Sequence, residues 1–179
     1  MTIIVDVANV MGARADGWWR DRAGAALRLC REVGALAGRG LAPSEMPDVT
    51  VPGLTVPDAG ELPGAGKTES PDSGSGEARC HPSWVLVLEG RAREAANSLP
   101  LIAAEEKAGG GSAYRQILEG SDGLVQVVLA SGSGDDVIAR EAAELRGCCL
   151  VSTADRELRR RCEQAGAAVA GPRWLLRLL

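Results

Sequence analysis

The opening stretch, residues 1–12, constrains the fold of this chain more than any other. It contains the apolar, β-branched run Ile3-Ile4-Val5, which is typical of a strand buried on both faces of a sheet. Asp6 ends that run. A carboxylate at the end of so buried a strand has to be neutralised by a partner or serve in the chemistry of a functional site. In open α/β sheets, ligands bind beyond the carboxyl ends of the strands. We therefore expect a sheet built around this strand, with its chemistry at the edge where Asp6 lies.

Further strands and helices are predicted along the chain in alternation. The other predicted strands are apolar runs at residues 84–88, 124–129, 148–151 and 167–169. The predicted helices begin at Asp16, Arg91, Asp135 and Pro172, with one more after Asp155. Residues 99–120 are ambiguous, with a short helix predicted around 102–107 and another helical turn at 114–118. The alternation indicates an α/β fold in which a parallel, doubly wound sheet of five strands carries helices on both faces.

Residues 40–82 differ in character from the rest of the chain. They are rich in proline, glycine and acidic residues and show no sustained periodicity. Such a segment lacks the apolar residues that would offset the entropy of ordering it. We therefore predict a single domain spanning residues 1–179, with a disordered insertion at 40–82.

The cysteines, the apolar runs and the charges indicate where such a chain works. The five cysteines form no CxxC pair and are odd in number, which argues against a disulfide framework or zinc site and for a reducing cytoplasm. No apolar run is long enough to span a membrane, so no membrane partner is expected. The net charge of −4 arises in the insertion, and the segment after residue 153 is rich in arginine. This distribution permits a nucleic-acid partner.

Acidic residues stand at or just after four of the five predicted strands. They are Asp6, Glu89, the pair Asp135 and Asp136, and Asp155. Because the carboxyl ends of parallel strands share one edge, and neighbouring strands are only about 4.8 Å apart, these carboxylates are expected to converge. Clustered carboxylates repel one another and favour a hard divalent cation such as Mg²⁺ or Mn²⁺. Such an ion can activate water for phosphodiester cleavage.

The same residues have ordinary structural interpretations when each is taken alone. Asp135 and Asp136 could cap and charge the start of their helix. Ser152 and Asp155 resemble a capping box, and Asn9 resembles an ordinary turn residue. The coincidence of acids at four strand ends favours the chemical interpretation over these separate ones.

The order of these motifs resembles that of the PIN-like nucleases. The segments are VDVANVMG from residue 5, VLEG from residue 87, GSGDDVIA from residue 132 and VSTADRELRRR from residue 151. Within that superfamily they resemble the NYN branch of bacterial ribonuclease-like domains. GDDVIA is also similar to the acidic segment of 5′ nucleases and flap endonucleases. The resemblance covers roughly residues 2–20, 84–90 and 124–175.

That resemblance implies a three-layer α/β/α sandwich with a Rossmann-like sheet of strand order 3-2-1-4-5 and a ribonuclease site dependent on Mg²⁺ or Mn²⁺. The implied catalytic residues are Asp6, Asn9, Asp135, Asp136 and Asp155, with Asn9 steadying the site. The implied metal ligands are Asp6, Asp135, Asp136, Asp155 and Glu89, although relatives commonly have aspartate where Glu89 stands. Asp16 and Arg156 are implied as substrate groups, and the arginine-rich helix faces add Arg20 and Arg159 as candidate phosphate contacts.

The leading expectation is a ribonuclease that hydrolyses RNA, in a chain that can form a homodimer. The alternative is a non-catalytic RNA-binding or scaffold protein with the same fold. A phosphotransferase of the haloacid-dehalogenase type also has an aspartate at the end of its first strand. That family needs a second aspartate two residues later, where Ala8 stands. The one histidine, His81, lies in the insertion, and no serine sits in a nucleophile elbow, so triad chemistry is poorly supported.

Overall fold

Seven strands and five α-helices make up the described part of the chain. The computed structural model describes residues 1–49, 78–108, 113–146 and 148–179. The strands are β1 (Thr2–Asp6), β2 (Ser83–Leu88), β3 (Leu101–Ala108), β4 (Ala113–Leu118), β5 (Val125–Ala130), β6 (Cys149–Ser152) and β7 (Ala168–Ala170). The helices are α1 (Val7–Gly12), α2 (Arg22–Arg39), α3 (Gly134–Glu144), α4 (Arg156–Gln164) and α5 (Pro172–Leu176), with 3₁₀ helices at Pro43–Glu45 and Gly90–Ser98. None of the helices in these ranges has the length and apolarity that a membrane span requires.

All seven strands belong to one mixed sheet, in the order β3-β4-β5-β2-β1-β6-β7. The five predicted strands are neighbours and run parallel, and their order in the sheet, β5-β2-β1-β6-β7, corresponds to 3-2-1-4-5. The α/β class is therefore confirmed. The prediction of a purely parallel sheet of five strands is wrong, because β3 and β4 add an antiparallel hairpin beside β5.

The hairpin β3–β4 occupies residues for which the sequence predicts helical turns. Residues 102–107 include alanine, glutamate and lysine, which favour helix in isolation. In the structure, β4 pairs with β5 from Ala113 to Ile117, and β3 pairs with β4. Pairing with the edge of a sheet overrides a weak local preference. The helical segments predicted at 102–107 and 114–118 are therefore corrected to strands.

β1 lies inside the sheet and is buried on both faces, as the sequence predicts. Ile3 and Val5 belong to the core on one side of the sheet, together with Leu29 of α2. Ile4 belongs to the core on the other side, together with Val137 of α3. All three β1 side chains are fully buried. Helices packed on both faces thus hold the strand, and its carboxyl end, in one position.

Helix α2 begins later than the sequence predicts. Asp16 is the predicted N-cap, but the helix starts only after Asp21, which caps it by accepting a hydrogen bond from the Gly24 amide at 2.8 Å. Asp16 instead accepts a hydrogen bond from the Trp18 amide at 3.1 Å. Gly17 between them has a φ of +78°, a left-handed conformation that no helix start at Asp16 would allow. The residues before α2 therefore form a turn.

Both ends of the predicted insertion are packed against the body of the domain. Leu41 is fully buried and forms an isolated antiparallel bridge with Cys80. The disorder predicted for residues 40–49 and 78–82 is therefore corrected, because apolar side chains at the ends of the segment do find places in the core. Residues 50–77, where the rest of the predicted insertion falls, lie outside the described residues.

A candidate active site at the carboxyl edge of the sheet

Asp6 lies where β1 passes into α1 without an intervening loop. It is both the last residue of the strand and the N-cap of the helix. Its Oδ1 accepts a hydrogen bond from the Asn9 amide at 3.0 Å, and its Oδ2 accepts one from the Thr153 hydroxyl at 2.8 Å. The residue is only 5% exposed. The buried carboxylate expected at this edge thus has a donor on each oxygen.

Thr153 and Asn9 fasten the loop after β6 to the start of α1. The hydroxyl of Thr153, a fully buried residue, also accepts a hydrogen bond from the Asp155 amide at 3.1 Å. The Asn9 side chain accepts a hydrogen bond through Oδ1 from the Ala154 amide at 3.2 Å. Asn9 is therefore more than a turn residue, because its side chain holds the segment that carries Asp155 close to Asp6.

Asp155 is the N-cap of α4. Its Oδ1 accepts a hydrogen bond from the Leu158 amide at 2.8 Å. A capping box begun by Ser152 is wrong, because Ser152 is fully buried in β6 and its hydroxyl has no hydrogen-bond partner among the described residues. Oδ1 of Asp155 therefore caps α4, and this role does not exclude a chemical role for the same carboxylate.

Glu89 follows β2 directly and reaches the start of α3. Its Oε2 accepts a hydrogen bond from the Gly134 amide at 2.7 Å. A Cβ at position 134 would lie 2.7 Å from the same oxygen, so a larger residue there would push the end of the Glu89 side chain away. Ser133 caps α3 by accepting a hydrogen bond from the Asp136 amide at 3.3 Å. The two aspartates of the first turn are therefore not needed as caps.

Asp135 and Asp136 are adjacent in α3 but have different partners. Asp136 forms an ion pair with Arg161 of α4 at 2.7 Å, and its side chain is 66% exposed. The hydrogen bonds of the described residues leave the Asp135 carboxylate without a donor. Burial raises the pKa of Asp135, and the charges of Asp155 and Glu89 raise it further. Asp135 thus belongs electrostatically with the acids at the neighbouring strand ends.

Four acids whose charges act on one another form what we call the acidic cluster: Asp6, Glu89, Asp135 and Asp155. Asp136 also raises the pKa of Asp135, but it is left out because it is paired with Arg161. Burial raises the pKa of Asp6, the hydrogen bonds to its oxygens lower it, and the charges of Asp135 and Glu89 raise it again. A bound cation would relieve this repulsion, and an all-oxygen set of donors suits Mg²⁺ or Mn²⁺. Within the described ranges, no three acidic, histidine or cysteine side chains are grouped so as to hold a metal ion as they stand.

The four predicted substrate-binding residues have different surroundings. Arg156 is exposed and follows Asp155 directly at the start of α4. Arg159 lies 4.0 Å from Glu163 on the same helix, within ion-pair distance. Arg20 is exposed in the turn before α2. The Asp16 carboxylate lies 3.7 Å from Arg28, which fastens that turn to α2. Of the four, only Arg156 is adjacent in sequence to a member of the acidic cluster.

Three residues that support the site were not identified from the sequence: Thr153, Gly134 and Arg161. Threonine and glycine occur in many loops for ordinary reasons, so neither type indicates a role by itself. The available signal was position, since Thr153 precedes a strand-end acid by two residues and Gly134 directly precedes the acidic pair. Arg161 is one of several arginines in α4, and only its ion pair with Asp136 distinguishes it.

Comparisons of the chain with models of protein families, with curated proteins and with solved structures found no match. The function is therefore argued from the geometry of the site and from the sequence motifs.

Proposed function

We propose that this protein is a metal-dependent ribonuclease of the PIN-like superfamily, in its NYN branch, that hydrolyses RNA at the acidic cluster. One observation carries the proposal. Burial raises the pKa values of Asp6 and Asp135, and carboxylates from other elements raise them further: Asp135 and Glu89 act on Asp6, and Asp155 and Glu89 act on Asp135. Perturbed pKa values of this kind concentrate at functional sites.

The topology supports the same proposal. The five parallel strands have the order that the resemblance implies, with β1 between β2 and β6. In that order, the acidic segments after β1, β2 and β6 lie next to one another at one edge, and the acids of α3 follow β5. The hairpin β3–β4 is an addition to the predicted sheet, and it extends the side of the sheet beyond β5.

The chemistry of the cluster suits a divalent cation, because all four side chains offer carboxylate oxygens, and the side chains would have to move closer together to bind one. The proposed ligands are Asp6, Glu89, Asp135 and Asp155. Asp135 is the most available of them, since no described residue donates a hydrogen bond to its carboxylate. Asp136 would join only if its ion pair with Arg161 opened. When bound, Mg²⁺ or Mn²⁺ would supply an activated water and stabilise the leaving oxygen of the phosphodiester.

The chain's own residues have separate duties in this proposal. Thr153 orients the Asp6 carboxylate through its hydroxyl. Asn9 holds the loop that carries Asp155 through its contact with the Ala154 amide. Arg156, exposed at the start of α4, is the proposed contact for a phosphate of the RNA. These residues bring the acids and the substrate together, in keeping with the preorganisation that catalysis requires.

A digest of RNA in defined metals tests the proposal. Single-stranded and structured RNAs are incubated with the protein in Mn²⁺, in Mg²⁺ or in EDTA. Asp135→Asn removes the least bonded carboxylate of the cluster, and Glu144→Gln is the matched control because Glu144 is exposed at the other end of α3. We expect metal-dependent cleavage by the wild type and by Glu144→Gln, and its loss in Asp135→Asn. Cleavage that persists in EDTA or in Asp135→Asn refutes the proposal.

A non-catalytic RNA-binding or scaffold protein of the same fold is the second candidate, and one observation favours it. Both oxygens of Asp6 and one oxygen of Glu89 already accept hydrogen bonds from the protein. Carboxylates satisfied in this way can serve the fold alone. RNA binding that is not followed by cleavage in any metal would select this candidate, in which RNA is a ligand and not a substrate.

A further inference from the structure

Two tryptophans stand side by side in the turn between α1 and α2. The rings of Trp18 and Trp19 meet edge to face, with centroids 6.3 Å apart and planes at 86°. The guanidinium of Arg22 lies 5.3 Å from the centre of the Trp18 ring. Trp18 packs against the core, whereas Trp19 is 58% exposed. The turn therefore fixes one indole and presents the other to solvent.

Two neighbouring cavities lie beside this turn, and one of them also borders the acidic cluster. The larger cavity has a volume of about 370 Å³. Apart from Ala23, its lining is polar or aromatic and consists of Trp19, Arg20, Asp21, Arg22, Arg91 and Glu94. The smaller, of about 150 Å³, is lined by Trp18 and by Glu89 of the acidic cluster. Arg22 and Arg91 line both cavities. We call the two cavities together the tryptophan groove, because Trp18 lines one of them and Trp19 lines the other.

The walls of the tryptophan groove are suited to an anionic ligand. In the larger cavity three arginines face two acids, and both acids already have partners. Asp21 caps α2, and Glu94 lies 3.8 Å from Arg91. Arg20 forms no ion pair with any described residue. An exposed indole beside an unpaired arginine suits a base and the phosphate attached to it.

We infer that the tryptophan groove binds single-stranded RNA, with one base stacked on Trp19 and its phosphate bound by Arg20. The inference rests on the proposed function, because the groove borders Glu89 of the acidic cluster, where the strand would be cleaved. Stacking on a protein side chain needs an unpaired base, so a duplex is a poor ligand. Every base has a ring face, so the sequence of the strand matters little.

Fluorescence anisotropy in EDTA measures this binding without cleavage. The probes are fluorescein-labelled oligo(A) and oligo(U), each about 12 nucleotides long, and an RNA duplex of equal length. Trp19→Ala is expected to weaken the binding of both single strands about 5- to 150-fold, as the loss of one stacked base does. Trp19→Phe keeps a smaller ring and is expected to recover part of the affinity. Tyr114→Ala is the matched control, because Tyr114 is an equally exposed aromatic residue, at 57%, in the hairpin β3–β4.

Three results would each overturn the inference: equal affinity of the wild type and Trp19→Ala, equal binding of the duplex, or no RNA binding by the wild type. The first would indicate that no base of the bound RNA stacks on Trp19. If cleavage depends on Mn²⁺ but not on Trp19, the proposed ribonuclease activity stands and RNA binding in the tryptophan groove is refuted. If RNA binding depends on Trp19 but the protein cleaves no RNA, binding in the tryptophan groove stands and the proposed ribonuclease activity is refuted. Circular-dichroism melts of each variant verify that it is folded.

Discussion

Replacing Thr153 with valine removes the hydroxyl that links Asp6 to the backbone of Asp155 and keeps the shape of the side chain. That hydroxyl donates to Asp6 at 2.8 Å and accepts from the Asp155 amide at 3.1 Å. Thr153 is fully buried, so water has little access to the groups left unpaired. A hydrogen bond to a charged group contributes about 1.5 to 3 kcal/mol and a neutral one about 0.5 to 1.5 kcal/mol. We expect Thr153→Val to lower the free energy of unfolding by about 2 to 4 kcal/mol.

Urea unfolding at several pH values measures that loss and identifies its cause. Burial raises the pKa of Asp6 above its usual value, and the hydrogen bond from Thr153 opposes that rise because it favours the ionised carboxylate in the folded protein. The hydroxyl therefore stabilises the fold most above the pKa of Asp6, and its contribution shrinks as the pH falls through that value. We expect the difference between wild type and Thr153→Val to be largest near neutral pH and smaller towards a pH of about 4.

Thr153→Ser is the control, because it keeps the hydroxyl and loses one methyl group, at a cost of about 1 kcal/mol. For a chain of this length, the loss expected for valine corresponds to a melting temperature about 4 to 16 °C lower. A valine variant as stable as the wild type at neutral pH would refute the reasoning. A deficit that grows on acidification would refute it too, because the hydroxyl would then favour the protonated form of Asp6.

Two further changes test the acidic cluster. Gly134→Ala would put a methyl group 2.7 Å from Oε2 of Glu89. We expect it to displace the end of that side chain, weaken its hydrogen bond to the Gly134 amide and lower the free energy of unfolding by about 1 kcal/mol in urea, whereas Gly132→Ala, with open space around its added Cβ, should be neutral. The raised pKa of Asp135 means that stability present below its usual value of 3.8 is lost as the pH rises through the raised value. Asp135→Asn should not lose this stability as the pH rises. In thermal melts, its stability relative to the wild type should therefore increase between acidic and neutral pH, by less than about 1 kcal/mol because Asp135 is partly exposed. Mn²⁺ should stabilise the wild type more than Asp135→Asn.

The central strand could be predicted from the sequence because few arrangements bury a run such as Ile3-Ile4-Val5 on both faces. The hairpin β3–β4 could not, since its residues favour helix locally and become strands only through pairing with β5. The start of α2 failed for a more local reason. Asp16 and Asp21 both resemble N-caps, and the left-handed conformation of Gly17 decides between them.

The acids of the site were predictable as a set, because residues that follow parallel strands share one edge of the sheet. The hydrogen bonds that hold them were not. Thr153 meets Asp6 across 147 positions of the sequence, and Gly134 meets Glu89 across 45. No local pattern encodes such contacts, which depend on how closely the elements pack. The same holds for Trp19, whose neighbour Arg91 belongs to a distant 3₁₀ helix.

The direct passage from β1 to α1 gives Asp6 two duties that cannot be separated. A slip of the strand by one residue would exchange the faces of Ile3 and Ile4 and carry the carboxylate away from its donors. Unwinding of α1 would withdraw the Asn9 amide from a nearly buried charge. Most binding sites are tuned by lengthening or shortening loops, and no loop exists here to be tuned. The Asn9 amide therefore stabilises the ionised form of Asp6 only while the first turn of α1 is folded. The protonation of this carboxylate thus depends on whether its own segment is folded.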